Sequence, residues 1–365
     1  MAFDTPHRDY SLTGPERDRA IERGLVAAEW YHSDIPRKDM KALMTRRDQP
    51  AIRDTILWIA LLIGTASAGI LLWGTWGALP FWLAYGVLYA SASDARWHEC
   101  GHGTAFRTSW MNDAVYLFAS FLQMRNPVSW RWSHARHHTD TIIVGRDPEI
   151  SVMRPTDFTL KALAFVGIPS AFTAFATLLR NATGRYGPDE RDYIPDSDLP
   201  RATVWARIFV AIHLAAWALA LATWSIIPVL LIGGPRIYGT WQMVMTGLLQ
   251  HGGLAEDVLD HRLNSRSVLM DPVNRWLYLN MNYHVEHHMF PMVPYHALPR
   301  LHALIRHDLP PPNPSIRHAY AEMIRALVRQ RREPGYHLRR ALPPTARPYR
   351  EDLHDAASVP QTPAA

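Results

Sequence analysis

The stretch Tyr283-His284-Val285-Glu286-His287-His288-Met289-Phe290-Pro291 decides how the chain is read. On a helix, positions i, i+3 and i+4 share a face, so His284 meets His287 and His288 one turn away. His134-Ala135-Arg136-His137-His138 repeats that spacing, and His98-Glu99-Cys100-Gly101-His102 adds a pair at i, i+4. With 19 His in 365 residues, about 0.05 copies of the HxxHH pattern are expected by chance, yet the chain holds two. Imidazole suits iron, zinc, copper and nickel. Eight clustered imidazoles exceed the needs of one first-row ion, so the pattern predicts a two-metal centre. Adjacent rings such as His137 and His138 point about 100° apart on a helix, which lets them serve different ions.

The totals hide a strong segregation. Mean hydropathy is −0.14, but apolar blocks such as Thr55–Trp76 alternate with Arg- and His-rich ones. The 14 Trp and 28 Pro are high for a water-soluble enzyme and fit a membrane protein. A net charge of +5 comes without any nucleic-acid motif, so no nucleic acid partner is expected. Arg residues flanking apolar spans suit anionic lipid or an acidic redox partner. Cys100 is the only cysteine, which excludes an internal disulfide and cysteine-rich metal sites. It reads as a small buried residue. No signal peptide is seen, so the first span is expected to direct insertion.

Residues 1–54 read as a cytosolic segment, mobile over 1–20, with a short amphipathic helix at Ile21–Trp30. The basic cluster over 35–53 places the N-terminus in the cytoplasm. Thr55–Trp76 and Phe81–Arg96 read as a first membrane hairpin, Val204–Trp224 and Val229–Leu249 as a second. Val115–Met124 is too short to cross, and Phe158–Leu179, basic at both ends, reads as lying along the inner surface. Four spans keep every His cluster on one side. The expected fold is an all-α integral membrane protein: four transmembrane helices and a cytosolic helical cap holding a dimetal site. Residues 55–305 form the catalytic domain, with one helix expected over Trp276–His288. Residues 306–365 form a Pro/Arg-rich cytosolic tail, helical at Ile316–Arg332 and disordered from Pro343.

Taken together, His98-x3-His102, His134-x2-His137-His138 and His284-x2-His287-His288 resemble the three histidine boxes of the membrane fatty acid desaturase family. The resemblance covers roughly residues 50–305. It implies a cytosol-facing non-haem centre of two Fe ions, with O2 as co-substrate, that attacks C–H bonds. It also implies a further ligand at the cytosolic end of the fourth span, where His251 stands. Glu256–Arg262 and Asn280–Tyr295 look similar to a bacterial hydrocarbon oxygenase branch linked to rhizopine catabolism. The expected localisation is a bacterial inner membrane with both termini cytoplasmic.

Ligating histidines need an acceptor on the other ring nitrogen, and Asp94, Glu99, Asp140 and Glu286 are the carboxylates nearest in sequence. Glu256, Asp257 and Asp260 read as a clasp for a cationic substrate or as a solvated loop, and His261 as a substrate contact or a surface residue. His213, His296, His302, His307 and His318 read as structural or surface residues, and Trp97, Trp130 and Trp132 as interface anchors. With no flavin, haem or cysteine-cluster motif, the two electrons must come from a ferredoxin-like or rubredoxin-like donor with its reductase, docked on the basic inner face. The expected activity is fatty acyl desaturation or hydroxylation. The alternatives are O-demethylation of a small rhizopine-like methyl ether, a non-catalytic metal or haem carrier, and a zinc hydrolase.

Overall fold

The computed structural model describes residues 21–22, 24–26, 29–150 and 156–350. Among them the chain is helical, with two isolated bridges (Ser267 to Tyr283, Val268 to Asn313) and no strand. The first helices are α1 (Arg37–Leu43), α2 (Asp48–Leu71), α3 (Ala78–Gly86), α4 (Ala92–Gly101), α5 (Ser109–Leu122) and α6 (Pro127–Thr139). Then come α7 (Phe158–Val166), α8 (Ile168–Ala182), α9 (Pro188–Tyr193), α10 (Leu199–Thr223), α11 (Ile227–Leu231) and α12 (Pro235–Tyr238). The last are α13 (Trp241–His251), α14 (His261–Asn264), α15 (Pro272–Leu277), α16 (His284–Met289), α17 (Leu298–Ile305) and α18 (Ile316–Gln330).

Among the described residues, two segments are long and apolar enough to cross a membrane: Arg37–Leu71, which contains α1 and α2, and Asp196–Thr223, which ends with α10. The α7–α8 pair makes a third if its 76° bend is one broken span. The positive φ of Gly167, +72°, makes that bend. Leu71 is 85 % exposed and Leu221 76 %, an outer surface that lipid accepts and water does not.

Several helices differ from expectation. The second limb of the first hairpin is α3 running into α4 through a π-helical turn at Val87–Ser91. Val229–Leu249 is not one helix. Gly233 has φ +85°, a Cβ on Gly234 would lie 2.5 Å from the Val229 carbonyl oxygen, and Pro235 offers no N–H. The segment therefore breaks into α11, α12 and α13. Trp276–His288 is likewise two helices. Leu279 and Asn280 take positive φ between α15 and α16, and the Asn280 side chain is held by Arg275 and the Tyr295 carbonyl.

At the N-terminal end, Ile21–Glu22 is helical but 29–36 is irregular, bonded through Tyr31 N–H to Leu259 O. Residues 1–20 lie outside the described part. The tail is no loose appendage at 343–350. Arg347 N–H donates to Asp308, and Tyr349 O–H donates to the Glu29 carbonyl at 2.5 Å. Residues 351–365 lie outside the described part.

Glycine permits the closest contact in the helical body. A Cβ on Gly239 would overlap the backbone carbonyl of Gly86, and one on Gly86 would overlap the Tyr238 ring. The Ser91 hydroxyl donates to Gly239 O at 2.6 Å beside this contact. Backbone cannot yield as a flexible side chain does. Gly239→Ala should therefore cost about 1–3 kcal/mol or more of stability, read as a lower thermal unfolding midpoint in detergent. An unchanged midpoint would refute the contact.

Candidate metal centre

Four separate segments deliver the histidines. α4 carries His98 and ends at His102, where Gly103 turns the chain with φ +67°. α6 carries His134, His137 and His138, and its start is fixed by Asn126, whose side chain accepts from Val128 N and Ser129 N ahead of Pro127. α13 ends on His251, stopped by Gly252 and by Gly253 at φ +77°. α16 carries His284, His287 and His288.

The rings converge in two adjacent groups. His98, His102, His134, His138 and His287 form the first, and His137, His251 and His288 the second, each with its ligand atoms within 4.8 Å of one another. His284 adjoins the second: its Nε2 is 3.0 Å from His251 Nε2 and 3.0 Å from His288 Nε2. His137 and His138 fall in different groups, as do His287 and His288.

Two observations say that these rings fit metal ions. The first is the location of the protons. His134 Nδ1 faces Glu149 at 3.1 Å, His137 Nδ1 faces Asp147 at 2.8 Å, and His251 Nδ1 faces the Asn264 carbonyl at 2.8 Å. Each acceptor holds a proton on Nδ1 and leaves Nε2 with a bare lone pair. One hydrogen on His284 Nε2 could not satisfy both its neighbours, whereas a cation would meet all three. The second is spacing. Two imidazole nitrogens about 2.1 Å from one ion and at right angles to each other stand about 3.0 Å apart. That is the separation of His284 from His251 and His288, and of His134 Nε2 from His102 Nε2.

Electrostatics favour the neutral rings that ligation needs. Burial, then the neighbouring rings, hold His284, His287 and His288 well below the ordinary imidazole value. Burial opposes charge on His137 too, but Asp147 outweighs it and leaves that ring above the ordinary value. Burial works to raise the Glu149 carboxyl, yet His134 prevails and brings it down to about 2.

The four carboxylates expected to orient these rings do other work. Asp94 pairs with Arg125 at 2.6 Å, and Asp140 with Arg136 at 2.5 Å and Arg146 at 3.3 Å. Glu99 accepts from Thr104 and from Tyr295 N, and Glu286 from Ser267 and from His302, which lies outside both groups. Closeness in sequence misled here, because a helix turns neighbours onto different faces. Asp147 and Glu149 were missed. They sit in the loop after α6, where Ile142 and Gly145 take positive φ and fold it back. The signal was the pair of acids in Asp147-Pro148-Glu149 within reach of the second box.

The acidic stretch after His251 is not a solvated loop: Glu256, Asp257 and Asp260 are buried. Asp260 accepts from Arg262 with both oxygens, and Asp257 accepts from Val144 N. His261 is buried rather than superficial. It stacks on Trp30 at 4.3 Å, its ring 5.0 Å from that of His288. Trp97 is buried against His134 at 5.4 Å, not an interface anchor. Arg125 stands over Trp97 and Trp130 at 4.3 and 4.6 Å.

A cavity of about 720 Å³ reaches both groups, touching His98 and His134 of the first and His137 and His251 of the second. Its walls include Phe158, Phe165, Met243, Leu248 and Met281. That size and apolar character suit a small-molecule or acyl ligand.

Such a centre, in a chain whose α2 and α10 belong to segments long and apolar enough to cross a membrane, points to a membrane-associated metalloenzyme. The chain matches the family described as fatty acid desaturase over residues 74–320, and it belongs to that family. It is 25 % identical to the sphingolipid delta(4)-desaturase/C4-monooxygenase DES2 of Mus musculus, over 74 % of this chain and 82 % of that protein. It is 27 % identical to a probable fatty acid desaturase of Sorghum bicolor, over 68 % of this chain and 67 % of that one. An endoplasmic-reticulum omega-6 fatty acid desaturase of Glycine max is 25 % identical, over 62 % and 66 %. The protein is an oxidoreductase enzyme, not a carrier.

Asp147→Asn and Glu149→Gln should each weaken metal retention about 10–100-fold, measured as metal per chain after dialysis against a graded chelator. Asp140→Asn, whose carboxylate meets only arginines, should retain metal as the parent does. Equal loss in all three would show that the Asp147 and Glu149 contacts do not hold the rings.

Proposed function

We propose that the protein is a diiron oxygenase that desaturates or hydroxylates an acyl chain. The observation that carries this reading is the apolar cavity running directly onto both imidazole groups. When bound, a pair of iron ions supplies the oxygen-activating chemistry that an unactivated C–H bond requires. Desaturation then balances as R–CH2–CH2–R + O2 + two electrons + two protons giving R–CH=CH–R + two waters. His98, His102, His134, His138 and His287 would hold one ion, and His137, His251, His284 and His288 the other.

The chain's own residues do the positioning. Asp147, Glu149 and the Asn264 carbonyl fix three rings by their Nδ1 protons. Trp97 packs against the His134 ring and lines the cavity beside it. Met243, Leu248 and Met281 offer a methylene chain an apolar bed. That bed favours an acyl chain over a small polar methyl ether. In this reading α2, the run over 78–101, α10 and the broken run over 227–251 make four crossings of a bacterial inner membrane, with the histidines and both termini on the cytoplasmic side. His102 and His138 are the half-buried members of the first group. An acidic ferredoxin-like or rubredoxin-like donor would therefore deliver its electrons there.

Purified full-length protein should hold about two irons per chain, as in a two-metal site. It should consume O2 only with a reductant and an acyl substrate. Cells expressing it should gain unsaturated or hydroxylated acyl chains, and cells expressing His134→Ala should not. Zinc in place of iron with O2-independent turnover would overturn the proposal, and formaldehyde release without acyl change would move it to demethylation.

A further inference from the structure

The family match ends at residue 320, but the cavity wall does not. Met323, Ile324, Leu327 and Gln330 of α18 line the same cavity as the histidines. α18 is fastened where it stands. Tyr320 O–H donates to Met245 O of α13 at 2.8 Å. Buried Arg266 donates to the carbonyls of Leu249 and Gly252 and reaches Glu322 of α18 at 3.5 Å. The two residues after His251 are glycines that admit it: a Cβ on Gly252 would overlap the Met323 sulfur, and one on Gly253 would lie 3.1 Å from Ala326 Cβ. Those distances leave α18 no room to come closer, so any larger residue in the turn next to His251 would push it outward.

The helix is amphipathic. Ala319, Met323, Ala326 and Gln330 are buried, while Ile324 and Val328 are 45 % and 51 % exposed. Val328 lies one turn beyond cavity-lining Ile324 on the same face. Arg325 is exposed, outside the cavity lining and about 160° around the helix from Leu327, so Leu327 and Arg325 mark the cavity side and the outer side. Phe158 and Phe165 of α7 line the same cavity.

We propose that α18 is a specificity-determining wall: Met323, Ile324 and Leu327 contact the substrate's hydrocarbon chain beyond the histidines and set which of its carbons lies at them. An apolar wall can select only by fit along its length, since burial free energy follows contact area and not direction. Side-chain volume on α18 therefore governs chain length and position of attack, while the imidazole groups govern the reaction. This inference rests on the acyl reading above.

The test uses the full-length protein in detergent, in a Cys100→Ala background, with oleic acid as the probe. Leu327→Cys is labelled with a maleimide dye. With oleic acid at about ten times its dissociation constant, labelling should slow about tenfold. Arg325→Cys, on the outer side, should label at the same rate with and without oleic acid. Ile324→Cys, which is part exposed and tolerant of change, serves if Leu327→Cys does not accumulate. Absence of protection at the cavity-side cysteine overturns the inference, and so does equal protection at Arg325→Cys, which would mark a coat of fatty acid. In the iron-loaded enzyme, Leu327→Trp should shift the product toward shorter chains or another bond position. An unchanged product profile also overturns it. The two readings fail separately: protection without acyl product sinks the reaction and keeps the wall, and acyl product without protection does the reverse.

Discussion

The histidine site depends on one electrostatic problem: imidazole nitrogens aimed at each other inside the protein. His251, His284 and His288 approach nitrogen to nitrogen at 3.0 Å, and His102 and His134 do the same. A buried acceptor without a donor costs about 1–3 kcal/mol. Collecting several such acceptors is unfavourable unless a cation lies among them. The carboxylates face outward from the groups, on Nδ1, where they strengthen the lone pair without competing for its partner. Ligand geometry and the price of burial thus select the same arrangement.

Holding that arrangement falls to segments distant in sequence. Arg262 is fully buried and donates to Asp260, Asp308 and the Arg347 carbonyl, with its guanidinium 3.4 Å from the centre of the Tyr31 ring. Two residues on, the Asn264 carbonyl receives His251 Nδ1. The chain before the first long helix, the loop after His251 and the C-terminal strap are thereby tied together beside the second group. Breaking one partner of a buried ion pair of this kind typically costs about 3–5 kcal/mol. The network therefore has the strength to keep rings from four helices in register.

The histidines were legible because ligation imposes a short spacing on one helix face, and the two HxxHH boxes and the His98–His102 pair keep it. His251 has no such box, and only the family resemblance pointed to it. Asp147 and Glu149 were not legible because their approach depends on turns at Ile142 and Gly145, which no periodicity encodes. The long helices were legible as apolar runs, since lipid and protein core alike reward unbroken hydrophobicity. Where Gly233, Gly234 and Pro235 interrupt such a run, hydropathy still read one helix and the backbone made three. Burial of the acidic stretch was hidden for a different reason. Asp260 looks solvated until Arg262 is seen folded onto it.

Helix α13 ties the cavity to the histidine site in this chain. Met243, Val244, Gly247 and Leu248 give the cavity its apolar side, and three residues after Leu248 the helix ends on His251. The glycines that stop it also let α18 approach closely enough to close the wall. A larger residue at Gly252 would push on Met323 and on the Leu248 carbonyl together, moving the wall and the ligand-bearing turn at once. Cavity shape and histidine placement are therefore coupled through a few residues of backbone, and a change made to suit one must preserve the other.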